Sequence, residues 1–543
     1  MAKRKQPLDP NAPLLHPDHP RPVTRRDFLR QGLVSGMGIL VGGPLLGVLA
    51  NPRLAHAALS SDLTTLATSI ACELGGNGAN PIPVICFDLA GGANIAGSNV
   101  LVGGPGGQKN DLLTTAGYSK LGLPPDMIPG ATEVTPTATS DGSHRDPSLG
   151  LYFHSDSAFL RGIQAKFTDT GAQGFVNGAV IPARSDNDTG NNPHNPMYGI
   201  ARAGDVRDPA DPTALSGLGG ANGAIVTLIG SQNSDSGGNS MAPASMIDLQ
   251  YRPTKVDRPT DVTGMVDTSS LTSVLSKPSD VVAVMESVAR ISQKKLGKVT
   301  AYSATQADIN LKNQMECGYL KAADLADRFA GVPMDPSQDP EIVNDTTGVF
   351  TTAEWNGSDG GEFRKTASIM KMVVNGYAAA GTVTMGGFDY HTGDRATGEL
   401  RDLRAGKCMG ACLQYAAKRQ VPLLIYVFSD GSLASSGMVD SSTNGRGKGV
   451  WTGDNSSTAA SFMLFYNPKA GGRPAVIRDQ IGYFRGDGSV ETSSSPAANN
   501  VNLLVETMLL NYLALQGREG EYPTLFGGLG PNYANYIAFP KIV

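Results

Sequence analysis

The sequence predicts an α/β fold: a three-layer sandwich with a central, mostly parallel sheet and long loops. Three observations lead there. Residues 382–432 read as strand, helix, strand. An apolar, β-branched run ends in Gly386-Gly387-Phe388-Asp389-Tyr390-His391, a helical segment follows at 399–419, and a second run at 421–428 ends in Ser429-Asp430-Gly431. Such units build parallel sheets with right-handed crossovers. Further short apolar runs lie at 81–89, 174–181, 223–229 and 461–467, with helical patterns between several of them. Gly (67) and Pro (35) are abundant in the 543 residues, so many loops join short elements.

In chain order, 59–74 reads as an amphipathic helix. The run 81–89 is the first core strand and leads into the turn Ala90-Gly91-Gly92-Ala93-Asn94. Residues 101–147 read as loops, and 149–166 as helical in part. The strand at 174–181 delivers Pro182-Ala183-Arg184-Ser185. Residues 203–246 are loops around one strand. A helix beginning at Pro278 carries Val281, Val284, Met285, Val288 and Ile291 on one face. It ends at Lys294-Lys295, as the helix dipole favours. Helices are also expected at 307–329 and at 363–380, the latter closed by Gly381. Residues 431–460 are rich in Ser, Gly and Thr and hold Trp451-Thr452-Gly453-Asp454-Asn455 before the strand at 461–467. Asn500 caps a last apolar helix that Gly517 stops.

Hydrophobic residues make up 40% and charged residues 17%, which suits a packed core. Residues 1–57 read as a twin-arginine export signal. Thr24-Arg25-Arg26-Asp27-Phe28-Leu29-Arg30 follows a basic stretch. A short, glycine-diluted apolar run comes next, and Ala55-His56-Ala57 offers a cleavage site. That run is too short and dilute for a bilayer span, so no stable transmembrane segment is expected after cleavage at Ala57. The expectation is a periplasmic or secreted chain, a twin-arginine translocase as its partner in export, and one domain over 58–543. Cleavage removes eight of 44 basic and three of 49 acidic residues, leaving a net charge of −10. An acidic chain of this kind is a poor nucleic-acid ligand. Five cysteines leave at least one unpaired. No spacing resembles a zinc knuckle. Cys408 and Cys412 read as buried small residues, and pairing of Cys72 with Cys86 is left open.

Ligands of open α/β sheets sit beyond the carboxyl ends of the strands, where Asp389, His391 and Asp430 fall. Two carboxylates and an imidazole there suit a divalent metal, although Asp is also an ordinary turn residue. Ser185 beside Arg184, at another strand end, suits a nucleophile with an anion-binding neighbour, or a hydroxyl turn. There is no dinucleotide fingerprint and no Walker sequence.

Gly386-Gly387-Phe388-Asp389-x-His391 and Val427-Phe428-Ser429-Asp430 resemble motifs of the exported bacterial proteins grouped as domain of unknown function 1501. That group is a distant branch of the alkaline phosphatase/sulfatase superfamily. Weaker likenesses are the Gly91-Gly92 turn, Arg184-Ser185 and Gly453-Asp454, and together they span roughly residues 80–515. The resemblance implies an alkaline-phosphatase-like fold with a two-metal site across the strand ends. Ser185 would be the nucleophile and Arg184 its neighbour. Asp389 and His391 would ligate one metal, and Asp430 the other. Asn94 and Asp454 would occupy the remaining ligand positions, with Asp88 a further oxygen donor. The sequence departs from the pattern at Asn94, which replaces an acidic residue, and at Asn455 and Gly431, which replace histidines. Zinc would find few imidazoles, because only His144, His154, His194 and His391 follow residue 57; calcium or magnesium would find oxygens. Two functions follow: a metal-dependent hydrolase of phosphate or sulfate esters, or a metal-free, non-catalytic relative that binds a partner at the cell envelope.

Overall fold

A computed structural model describes residues 59–70, 72, 82–185, 193–204, 228–231, 242–248, 253–265, 278–298, 309, 312–313, 315–320, 323 and 334–542. The expected export signal, with Arg25, Arg26 and Ala57, lies outside the described residues. So does most of 307–329.

Eleven strands are described. They are β1 (Val84–Leu89), β2 (Arg145–Leu149), β3 (Leu151–His154), β4 (Val176–Pro182), β5 (Leu228–Gly230), β6 (Thr254–Lys255), β7 (Ala380–Met385), β8 (Leu423–Phe428), β9 (Leu433–Asp440), β10 (Lys448–Asp454) and β11 (Ala460–Tyr466). Seven form one sheet in the order β4-β11-β8-β1-β7-β5-β6. Every neighbouring pair from β8 to β6 is parallel, while β11 runs antiparallel to both β8 and β4. The carboxyl ends of β4, β8, β1 and β7 therefore share one rim with the start of β11.

The principal helices are α1 (Ser61–Ser69), α2 (Ala158–Lys166), α3 (Met197–Gly204), α4 (Pro278–Leu296), α5 (Gly360–Val374), α6 (Arg395–Arg419) and α7 (Val501–Leu515). Alternation along the central strands divides the core in two. Ile85 and Phe87 of β1 and Ile425 and Val427 of β8 pack with residues of α2, α5 and α6. Val84, Cys86, Leu424 and Tyr426 pack with α3 and α7 on the other side. Helices thus cover both faces of the sheet. Among the described residues no helix is long and apolar enough to cross a membrane.

Helix α6 crosses α2 at close range. A Cβ on Gly406 would lie 2.2 Å from the Phe159 carbonyl, and one on Gly410 2.4 Å from that of Ile163. Asn500 caps α7, its side chain accepting from the Leu503 N–H at 3.2 Å, as its sequence position implies.

Two expectations are corrected. Gly381 does not close a helix: α5 ends at Val374, Gly376 turns the chain at φ 75°, and Gly381 sits inside β7, where a Cβ would meet Ile369 at 2.4 Å. The Ser/Gly-rich stretch after Asp430 is not loop alone, because β9 and β10 form an antiparallel hairpin there. As expected, residues 149–166 are helical in part, the strand β3 preceding α2. Cys72 pairs with Cys317, and Cys86 is a buried thiol in β1. Cys408 and Cys412 are buried and unbridged.

Candidate metal centre at the sheet rim

The segment leaving β7 alternates. Phe388 and Tyr390 turn inward and are buried, whereas Asp389 and His391 turn outward. Gly387 makes the turn at φ 89°, a left-handed conformation open to glycine. The Phe388 N–H donates to the Ala90 carbonyl at 3.1 Å, tying this segment to the end of β1. Gly91 lies so near that a Cβ on it would stand 2.5 Å from the Asp389 nitrogen.

His391 lies between two carboxylates. Its Nε2 is 2.9 Å from Asp389 Oδ1 and its Nδ1 is 3.7 Å from Asp454 Oδ1. One ligand atom from each of the three residues lies within 4.8 Å of the others. The side chains are 59%, 29% and 42% exposed for Asp389, His391 and Asp454, so the group opens to solvent. Donors about 2.0–2.2 Å from one ion stand at most about 4.4 Å apart, so a transition metal would draw these atoms slightly together. One imidazole with two carboxylates is a donor set that suits zinc and similar divalent ions; calcium prefers oxygen alone.

Asp430 does not join this group. It is buried, and its Oδ1 accepts from the Gly91 N–H at 2.8 Å. Its neighbour Ser429 accepts from the N–H groups of Gly92 (3.1 Å) and Ala93 (2.8 Å) and donates to the Leu89 carbonyl at 2.6 Å. Gly91 and Gly92 hold φ of 122° and 115°. Ser429 and Asp430 thus satisfy the backbone of that turn and hold it beneath Asp389. Asn94 is also outside the group: it is buried, its side-chain amide donates to Ser98, and its carbonyl accepts from Asn99 at 2.7 Å. Asp88 is buried in β1.

Arg184 and Ser185 lie on the same rim, beyond β4. That strand stands four inter-strand steps from β7, roughly 19 Å. The Ser185 N–H donates to the Ser456 carbonyl at 3.1 Å, two residues beyond Asp454. Its hydroxyl is buried with no hydrogen-bond partner among the described residues. Arg184 donates to Ser456 Oγ (3.1 Å) and Asn499 Oδ1 (3.3 Å). Ser185 is therefore linked to the metal group through backbone, not through side-chain contact.

Several residues around the centre escape a reading of strand ends. Tyr390 and Asp402 lie beneath it. The Tyr390 hydroxyl donates to Asp402 at 2.7 Å. Burial drives the Asp402 carboxyl up to about 7, against the hydrogen bond from Tyr390. Beside it, Glu399 meets Arg395 (2.6 Å), Lys448 (2.9 Å) and Arg161 (2.7 Å). Burial pushes the Glu399 carboxyl up, yet these cations outweigh it and hold it below its ordinary value. Arg401 of α6 covers the bend, its guanidinium 3.1 Å from where a Gly387 Cβ would be, and it makes no ion pair among the described residues. The only signal for Tyr390 was its alternation with Asp389 and His391. For Asp402 and Arg401 there was none, since polar residues in a helix read as a solvated face.

No protein-family model, curated protein or solved structure matches the chain.

Proposed function

We propose that this chain is an exported protein of alkaline-phosphatase/sulfatase-like fold that uses one divalent cation at the sheet rim to hydrolyse phosphate or sulfate esters. The observation that carries the reading is the convergence of Asp389, His391 and Asp454, from two separate elements, on one solvent-open point. Three protein ligands with an open side suit a catalytic metal better than a closed structural one. A divalent ion held there would polarise an ester oxygen and acidify a bound water. Asp389 and Asp454 supply the charge that retains it. His391 supplies the nitrogen donor, and Arg401 a cation for the ester's anionic oxygens. Gly386 meets nothing within 4 Å of where its Cβ would stand, so it leaves that side of the approach open.

The same rim supports a second reading, a non-catalytic envelope-binding relative. Ser185 hangs four strands from Asp389, and Arg184 is already engaged by Ser456 and Asn499.

Metal analysis of the protein purified after native export separates the two. The hydrolase reading expects about one zinc or manganese ion per chain, lost in Asp389→Ala and Asp454→Ala. It also expects chelator-sensitive cleavage of p-nitrophenyl phosphate or sulfate. Metal-free protein, or activity indifferent to chelator, would leave only the binding reading.

A further inference from the structure

We propose that Tyr390, locked by Asp402, is the positioning residue that sets Asp389 and His391 at ligand distance from Asp454. This rests on the metal-binding reading above. Asp389 is exposed and His391 partly exposed, on a segment with glycines before and after it. Their spacing is fixed by what lies between them. The Tyr390 ring is 2% exposed, and its hydroxyl bonds in two directions. It donates to Asp402 Oδ1 at 2.7 Å and accepts from the Asn94 N–H at 3.0 Å. The other Asp402 oxygen accepts from Asn99 Nδ2 at 2.8 Å. Asn99 is fixed in turn, because its Oδ1 accepts from Ser157 Oγ (2.8 Å) and the Phe159 N–H (3.0 Å). The chain Asn99–Asp402–Tyr390–Asn94 thus joins α6, the start of α2 and the turn after β1 at one hydroxyl. Gly398, in the first turn of α6, makes room for the ring: a Cβ there would lie 2.8 Å from Tyr390 Cε2.

The Phe388 side chain anchors the same segment by packing alone, whereas the Tyr390 side chain adds direction. A ring held only by packing can slide or rotate; one bonded at its tip from two sides cannot do so without leaving a buried N–H or carboxylate unpartnered. Partners behind metal ligands typically contribute 10–100-fold in affinity.

Two variants test this by different routes. Tyr390→Phe keeps the ring and removes the hydroxyl. Gly398→Ala keeps the hydroxyl and displaces the ring, while alanine favours the helix. Zinc and manganese affinities would be measured by calorimetry well below each variant's unfolding midpoint. Nitrogen NMR shifts of His391, taken with and without metal, would report its tautomer and orientation. The expected result is an affinity loss of about 10-fold or more in both variants, with an altered His391 spectrum. Wild-type protein that binds metal, with both variants unchanged, overturns the positioning role and leaves the metal reading standing. Wild-type protein that binds neither metal overturns the metal reading. In that event an unchanged His391 spectrum in Tyr390→Phe would overturn the positioning role independently.

Discussion

At the scale of single residues, the buried titratable groups pull stability in opposite directions with pH. His154 donates from Nε2 to the Met127 carbonyl (2.8 Å), and its Nδ1 accepts from the Asp156 N–H (3.1 Å), so it is held neutral. Burial, aided by Lys448, lowers it to about 3. His194 is stacked on Phe428, buried, and lowered to about 4 by burial. Both groups are depressed below 6.5, so their contribution is present above 6.5 and is lost as pH falls toward those values. Asp402 is raised from 3.8 to about 7, so its contribution is present below 3.8 and is lost as pH rises toward 7. Two histidines outweigh one aspartate. Denaturant midpoints should therefore climb from pH 4 to about 6.5 and flatten above pH 7. Neither nitrogen of His194 has a hydrogen-bond partner among the described residues. His194→Phe keeps the stack on Phe428 and removes those nitrogens. It should stabilise the fold, by about 2 kcal/mol more at pH 5 than at pH 8. Equal effects at both pH values would show that His194 titrates normally.

At the scale of elements, glycine packing decides more than propensity does. The α2–α6 crossing has no room for a β-carbon at Gly162, Gly406 or Gly410. Alanine raises intrinsic helix propensity by about 1 kcal/mol over glycine. At Gly406 that gain is opposed by a clash with backbone, which cannot rotate away. Gly406→Ala should destabilise by about 1–3 kcal/mol in a thermal or denaturant melt. Much of this level was legible from sequence. The central strands β1, β4, β7, β8 and β11 appeared as apolar runs, because burial on both faces removes the polar alternation that blurs surface strands. The caps of α7 appeared because Asn500 and Gly517 act within their own turn. Gly381 misled because a glycine after an apolar segment is read as a stop. Its role depends on Ile369, a contact across the layer that no local pattern carries.

For the molecule as a whole, the disulfide matters most at the edge. Leu59, Leu63 and Ala67 of the α1 region form a small apolar cluster with Ala289 of α4, apart from the two main cores. Cys72 and Cys317, 245 residues apart in sequence, close it. Ser60 and Asp62 add polar contacts to Glu286 and Arg290. Cys317→Ser should loosen this unit by about 2–4 kcal/mol. Hydrogen exchange should rise in α1 and stay unchanged in β1 and β8. The pairing was not legible, since sequence offers five cysteines and no distances. The metal group was legible in part. Asp389 and His391 stand out by spacing, while Asp454 came only from the family resemblance and sits at the end of β10. Asp430 looked equivalent to them because a carboxylate that satisfies a turn's amides and one that awaits a ligand occupy the same place in sequence.

The reversed strand β11 has a practical corollary. Functional side chains in parallel sheets are sought where each strand exits. Inserting one strand upside down exchanges its exit for its entrance. Asp454 reaches the rim from that entrance, upstream of β11, while Tyr466 leaves from the far side of the sheet. A search confined to downstream loops would pass over one of the three converging groups. In sheets of mixed direction, the approach to each inverted strand merits the same scrutiny as the departure from its neighbours.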